Sequence, residues 1–253
     1  MGLFSGIIRI FGAGQLEPPQ APQRPVVAAV VVAAGSSSRM GTPKQLIPLC
    51  GVPVIARTLM ALDEAECVDE IVLVARQADM LPFYDLSKRY GIRKLTKILI
   101  GGGSRQQSVA RGVEAVKPET AYVAIHDGAR PLLRPQTADR VIEAAFRTGA
   151  AAAGVHVKDT VKLTDENGVV TGTPDRRFLW NVQTPQVFEL TRYRRALLAA
   201  QTAGREYTDD CQLLEHAGFP VQLIEAEYTN LKITTPEDVA FAEAVLRQDE
   251  DDG

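Results

Sequence analysis

A run of valine and alanine at residues 26–34 (VVAAVVVAA) leaves the chain few folds to choose from. No polar position falls at either a two-residue or a 3.6-residue period, so no face is left for water. Branched valine also favours an extended backbone packed on both sides. Similar runs recur at 70–75, 96–101, 121–126 and 150–156. Between them, helical patterns span about 53–62, 78–90, 104–117 and 136–148, with Pro53 and Pro135 where a first helical residue tolerates proline. This alternation predicts an α/β fold: a doubly wound, mostly parallel, Rossmann-like sheet with right-handed crossovers.

The rhythm breaks near residue 156. Polar and apolar residues then alternate around Asn167-Gly168, a strong hairpin signal, so an inserted β-hairpin arm is expected to project over 157–175. Helices near 189–202 and 209–217, a strand at 220–225 and a closing helix from Pro236 complete the expectation. One domain over 26–246 results, with a flexible extension at 1–25 and an acidic tail at 247–253.

Composition narrows the function. Hydrophobic residues make up 45% of 253 and charged residues 23%, enough for a sizeable core. A net charge of -3 argues against a nucleic-acid binder, yet allows a local positive pocket. Cys50, Cys67 and Cys211 show no CxxC spacing, and His126, His156 and His216 show no ligand spacing. Neither a disulfide framework nor a zinc site is expected, and the location implied is a reducing one, the cytoplasm. No run reaches the length of a membrane-spanning helix. The first 25 residues join an apolar patch to a Pro/Gln-rich stretch. Arg9 lies inside the patch and Gly6 stands where a myristoylation pattern needs Ser or Thr, so a polyproline-like linker is expected there.

In an open α/β sheet, ligands bind beyond the carboxyl ends of the strands. The first strand leads into GSSSRMGTPKQL (35–46), whose small residues admit a polyphosphate and whose Arg39 and Lys44 supply charge. The loop is neither a Walker A sequence nor a GxGxxG fingerprint, which removes the usual support for a kinase or dehydrogenase. The third strand enters GGGSRQQSVARGV (101–113), where three glycines let backbone surround a base or phosphate and Ser104 reads equally well as a helix cap. HDGARP (126–131) ends the fourth strand. Asp127 there suits magnesium bridging nucleotide phosphates and Arg130 a second anion, although the two also read as a structural ion pair. Lys232 stands at an expected strand end ahead of the helix start Thr235-Pro236-Glu237-Asp238.

Together the motifs AAGSSSRMG..PKQ, GG.SR..SV, HDGARP, VKDTVK, DRR.LW..QTPQ, YTDD and LKITTPED, in order from about 26 to 245, closely resemble the 2-C-methyl-D-erythritol 4-phosphate cytidylyltransferase family. The resemblance implies transfer of a cytidylyl group from CTP to methylerythritol phosphate with release of pyrophosphate, in isoprenoid precursor synthesis. It implies that Arg39, Lys44 and Lys232 are catalytic cations, that Ala33, Ala34, Gly35, Gly102, Ser108 and Gly128 surround the cytidine nucleotide, and that Asp127 holds Mg2+. Arg130, Thr160, Arg176 and Thr184 then match positions around methylerythritol phosphate. The arm would mediate a homodimer and bring Arg176 to the neighbouring subunit's substrate. Gly128 stands where alanine is common in the family. The alternatives are a ribitol 5-phosphate cytidylyltransferase, against which Lys158-Asp159-Thr160 and Leu179-Trp180 speak, a transferase using UTP or GTP, and a non-catalytic nucleotide-binding module.

Overall fold

The computed structural model describes residues 24–35 and 43–251. The valine–alanine run forms β1 (Val27–Ala33), whose side chains alternate between two cores. Val27, Ala29, Val31 and Ala33 pack on one face with Ile55, Leu59 and Phe83, while Ala28 and Val30 pack on the other with Val109 and Val113. A short hairpin, β2 (Pro48–Leu49) and β3 (Val52–Pro53), precedes α1 (Val54–Glu64). Then follow β4 (Glu70–Ala75), α2 (Met80–Arg89), β5 (Leu95–Ile100), α3 (Arg105–Glu114), β6 (Tyr122–Asp127), α4 (Pro135–Thr148) and β7 (Ala150–His156). The arm carries β8 (Leu163–Thr164) and β9 (Val170–Gly172). The chain closes with β10 (Trp180–Glu189), α5 (Leu190–Thr202), α6 (Asp210–His216), β11 (Gln222–Glu225) and α7 (Pro236–Asp251).

The central sheet has seven strands in the order β11-β7-β10-β6-β1-β4-β5. All neighbours are parallel except β10, which runs antiparallel to both β6 and β7. Helices α1, α2 and α4 cover one face and α3, α5 and α6 the other, as a doubly wound sheet requires. The approach of α3 is close: a Cβ on Gly112 would overlap Cγ1 of Val30 and lie 3.1 Å from Cγ2 of Val74.

Several expectations need correction. Sequence pattern gave no strand at 180–189, yet β10 lies inside the sheet. Its polar residues Gln183, Thr184 and Gln186 are buried with hydrogen-bond partners, which breaks the link between polarity and exposure. Pro135 is the first residue of its helix, but Pro53 precedes α1 as its cap and pairs with Pro48. Asn167-Gly168 does close a hairpin, though only Gly168 takes positive φ (81°), so the turn is not the two-residue type that the pair favours. Instead the Asp165 carboxylate accepts from the N–H groups of Asn167 and Val169. The segment around Lys232 is not a strand; side-chain and backbone hydrogen bonds hold it. Helix α7 runs through the expected boundary at 246 to Asp251, since no Gly or Pro interrupts it. Residues 1–23 of the expected extension lie outside the described residues. Arg24 is tied down, its guanidinium bonding Asp69 at 2.7 and 2.8 Å and the carbonyls of Glu66 and Cys67.

Candidate active site

Parallel strands deliver their carboxyl ends to one edge of the sheet, so the ends of β1, β5 and β6 converge. A cavity of about 440 Å³ opens there. One wall is Ala34 and Gly35 beyond β1, and the opposite wall is Gly102, Gly103 and Ser104 ahead of α3. At Gly102 a side chain does not fit, since a Cβ would overlap that of Gln107. A Cβ on Gly101 would overlap that of Ala34 and lie 2.9 Å from Oγ of Ser108. Ser108 fixes this wall, accepting from the N–H of Gly102 at 3.0 Å and donating to the carbonyl of Ser104 at 2.9 Å. Ser104 also caps α3, accepting from the N–H of Gln107.

The floor carries the charge. Asp127 ends β6 with its carboxylate ringed by three cations: Lys232 Nζ at 3.0 Å, Arg130 Nε at 3.5 Å and Arg105 Nε at 3.7 Å. Burial alone would push this carboxyl up, but Lys232, Arg105 and Arg130 outweigh it and hold Asp127 well below the usual carboxylate range. Asp127 is therefore ionised at every physiological pH. Arg130 donates through Nη1 to the carbonyl of Asn230 at 2.7 Å, and burial lowers its pKa.

The loop bearing Lys232 is stitched to this floor. Asn230 donates to Oε1 of Gln183 and to the carbonyl of Thr184, and the N–H of Ile233 bonds the carbonyl of Ala129 at 2.8 Å. Lys44, opening a short 3-10 turn, donates to the carbonyl of Ile233 at 2.8 Å and lines the cavity from above. Beside it, Gln45 donates to the carbonyl of Ala33, tying the loop after β1 back to the strand.

A second hollow of about 180 Å³ adjoins the first and shares Arg105, Asp127 and Lys232 with it. Arg130, Thr184, Thr208 and Asp209 line its far side. The Thr184 hydroxyl accepts from the N–H of Asp127 at 3.1 Å and meets Nδ1 of His126 at 2.9 Å. His126 is fully buried, and burial lowers its pKa to about 3, so it is neutral.

Of the residues singled out from sequence, Ala34, Gly35, Gly102, Ser108, Lys44, Asp127 and Lys232 meet at the larger cavity, and Arg130 and Thr184 at the smaller. Ala33 is buried beneath them as the end of β1. Gly128 is not in the lining: a Cβ there would face Ala33 and Ile55, each at 3.0 Å, and Val32 O at 3.2 Å. Thr160 and Arg176 lie exposed on the arm, Arg176 donating to the carbonyl of Lys158, and neither reaches these cavities within the chain. Arg39 lies outside the described residues. Sequence reasoning missed Arg105, Thr208 and Asp209, although GG.SR and YTDD contain them.

Among the described residues, no group of three or more His, Cys, Asp or Glu side chains gathers as a metal cage. Asp127 is the one carboxylate common to both cavities. That donor set fits magnesium, which takes one or two carboxylates and completes its shell with substrate phosphates and water. Fold and site together define a nucleotidyltransferase: two adjoining cavities for anions, joined over a ring of cations at the carboxyl edge of the sheet.

Comparison with known proteins agrees. The model of the family IspD, 2-C-methyl-D-erythritol 4-phosphate cytidylyltransferase, matches residues 27–248. The 2-C-methyl-D-erythritol 4-phosphate cytidylyltransferase of Pelotomaculum thermopropionicum is 44% identical, covering 87% of this chain and 94% of its own. That of Geobacillus kaustophilus is 45% identical, covering 86% and 96%. Among solved structures, the 4-diphosphocytidyl-2C-methyl-D-erythritol synthase of Anaerococcus prevotii superposes with a TM-score of 0.81 at 32% identity, covering 88% of this chain and 96% of its own. The cytidylyltransferase of Thermus thermophilus gives 0.71 at 32%, covering 88% and 99%. The chain belongs to the 2-C-methyl-D-erythritol 4-phosphate cytidylyltransferase family.

Proposed function

We propose that the chain transfers the cytidylyl group of CTP to the phosphate of 2-C-methyl-D-erythritol 4-phosphate, with Mg2+, in the cytoplasm, giving 4-diphosphocytidyl-2-C-methyl-D-erythritol and pyrophosphate. The observation that carries the reading is the ring of Lys232, Arg130 and Arg105 around Asp127, on the wall between the two cavities. CTP takes the larger cavity, its base against Gly102 and Ser108 and its phosphates toward Lys44, with Arg39 the further cation that the family resemblance assigns to them. The acceptor phosphate takes the smaller one, against Arg130 and Lys232, with Thr184 and Thr208 beside it. That arrangement sets the acceptor oxygen next to the α-phosphorus.

The acceptor phosphate is already a nucleophile at neutral pH. One of its oxygens forms the new bond to the α-phosphorus while the bond to the bridging oxygen of pyrophosphate breaks in line. No general base is needed, and His126, neutral and enclosed, is not placed to be one. The barrier is the approach of two polyanions, which Lys44, Lys232, Arg130 and Arg39 offset by position and charge. Asp127 would hold the metal, which supplies charge neutralisation on the phosphates when bound.

A homodimer through the arm fits its surface. Leu163, Val169 and Val170 are 56%, 61% and 55% exposed, and Thr160 and Arg176 stand in the open beside them. No helix among the described residues is long and apolar enough to cross a membrane.

The test is pyrophosphate release with Mg2+ and CTP, comparing methylerythritol phosphate with ribitol 5-phosphate. Release with methylerythritol phosphate alone supports the reading. Preference for ribitol 5-phosphate overturns the acceptor, and silence with both from folded protein overturns the transfer.

A further inference from the structure

We propose that Arg105, Asp210 and Tyr193 form a positioning unit for Asp127, in which Arg105 braces the carboxylate and the other two set how far Arg105 reaches. The inference deepens the nucleotidyl-transfer reading and rests on it.

Arg105 is the first residue of α3, and its guanidinium lies between two carboxylates distant in sequence. Nη1 bonds Oδ2 of Asp210 at 2.7 Å, whereas Nε stands 3.7 Å from Oδ1 of Asp127. The anchor is therefore Asp210, and the contact with Asp127 is the looser one. Lys232 and Arg130 both approach Oδ2 of Asp127, at 3.0 and 3.5 Å, which leaves Oδ1 to Arg105. Arg105 thus fixes the rotation of the carboxylate, and it can release Oδ1 to an incoming ligand without losing its own support.

Asp210 is only 2% exposed, beneath the site and away from either cavity lining. Its Oδ1 accepts from the Tyr193 hydroxyl at 2.6 Å, and Tyr193 is fully buried against Phe188 on the sheet. The backbone N–H groups of Asp210 and Cys211 donate to Oε1 of Gln186 at 3.0 and 3.2 Å. Those two bonds hold the backbone at Asp210, while its carboxylate, kept this deep, relies on Arg105 and the Tyr193 hydroxyl to offset its desolvation. What it provides in return is a fixed counter-charge that stops Arg105 from collapsing onto Asp127 and closing Oδ1.

The experiment compares the wild type with R105Q, R105K, Y193F and the double variant R105Q/Y193F. Each is assayed for pyrophosphate release with CTP and methylerythritol phosphate, for calorimetric binding of pyrophosphate with Mg2+, and for thermal unfolding. R105Q is expected to lower kcat about tenfold to a hundredfold, the range for losing a charge-assisted hydrogen bond. R105K recovers only part of it, because lysine lacks the fork that spans two carboxylates. Y193F, whose hydroxyl faces no substrate, lowers kcat about threefold to tenfold alone and not at all in the R105Q background. Pyrophosphate affinity falls in the same order. Should R105Q not fold, the background for the cycle is R105K, in which the Y193F effect shrinks. A kcat for R105Q within twofold of wild type overturns the proposal, as do Y193F and R105Q effects that multiply. A wild type inactive with methylerythritol phosphate but binding pyrophosphate sinks the acceptor reading and leaves the affinities to decide this one. Equal affinities across the variants, or none in the wild type, overturn it.

Discussion

Replacing Asp127 by Asn changes almost no volume but removes the charge that three cations share. At an effective dielectric constant of about 20, each of those pairs is worth roughly 5 kcal/mol of gross attraction at 3.0, 3.5 and 3.7 Å. Much of that is spent on burying the ions. Removing one partner from a buried ionic group therefore costs about 3–5 kcal/mol net, because the remaining charges stay desolvated without compensation. For a domain of this size the melting temperature of D127N should fall by roughly 6–20 °C. The pH dependence fixes the cause. The folded pKa of Asp127 lies below its unfolded value, so its stabilisation is complete above the unfolded carboxylate pKa of about 3.9 and is lost as pH falls through the folded one. The gap between wild type and D127N should hold constant from pH 8 to 5 and narrow below about pH 4. Urea unfolding across that range measures it. Equal stabilities at pH 7, or a gap that opens toward acid, would refute the view that Asp127 anchors the ring.

Lys44→Ala should lower kcat/KM about 10²–10³-fold, on the scale of a lost oxyanion donor, and leave the melting temperature within about 2 °C, as steady-state assay and calorimetry will show. Gly101→Ala drives a methyl group into Ala34 and Ser108, so the KM for CTP should rise about tenfold while the KM for the acceptor stays put. Gly112→Ala forces α3 off β1 and β4 and should cost about 1–3 kcal/mol in urea unfolding. The proposed homodimer is tested by light scattering of the wild type beside Leu163→Lys with Val170→Lys, or a deletion of residues 158–174, which should be monomeric; a monomeric wild type overturns the dimer, and a dimeric variant places the interface elsewhere.

The sheet was legible because its inner parallel strands, β1, β4, β6 and β7, are buried on both faces and rich in Val, Ile, Leu and Ala, a signal that needs no tertiary context. Five of its strands appear as such runs, and the carboxyl-end rule then points to the loops after β1, β5 and β6. Strand β10 was not legible. Gln183, Thr184 and Gln186 look like a loop, and Pro185 looks like a breaker, until their partners are known: Glu227, His126 and Asp209. Arg105 was hidden for the same reason. Nothing local marks an arginine after a capping serine as special, since its meaning comes from Asp210, 105 residues away. Lys232 was found as a cation, but its place depends on Asn230 and Ile233 bonding to β10 and to the loop after β6. Charge can be counted along a chain, whereas the pairing of charges is a property of the fold.

That pairing explains how an acidic protein handles two polyanions. Around the inner wall, Lys232, Arg130 and Arg105 face the carboxylates of Asp127 and Asp210, with Asp209 across the smaller cavity, so cations and carboxylates are matched three to three. Lys44 lines the larger cavity above them. The carboxylates do not oppose the function of the cations. They hold three mutually repelling groups within reach of one point, which no arrangement of lysine and arginine alone would tolerate at this depth. A net charge of -3 over the whole chain is spread over its surface, while the clustered cations act where water is scarce. On the proposed mechanism the carboxylates keep those cations in position before either substrate arrives, so little reorganisation is needed at the α-phosphorus, where charge grows as the new bond forms.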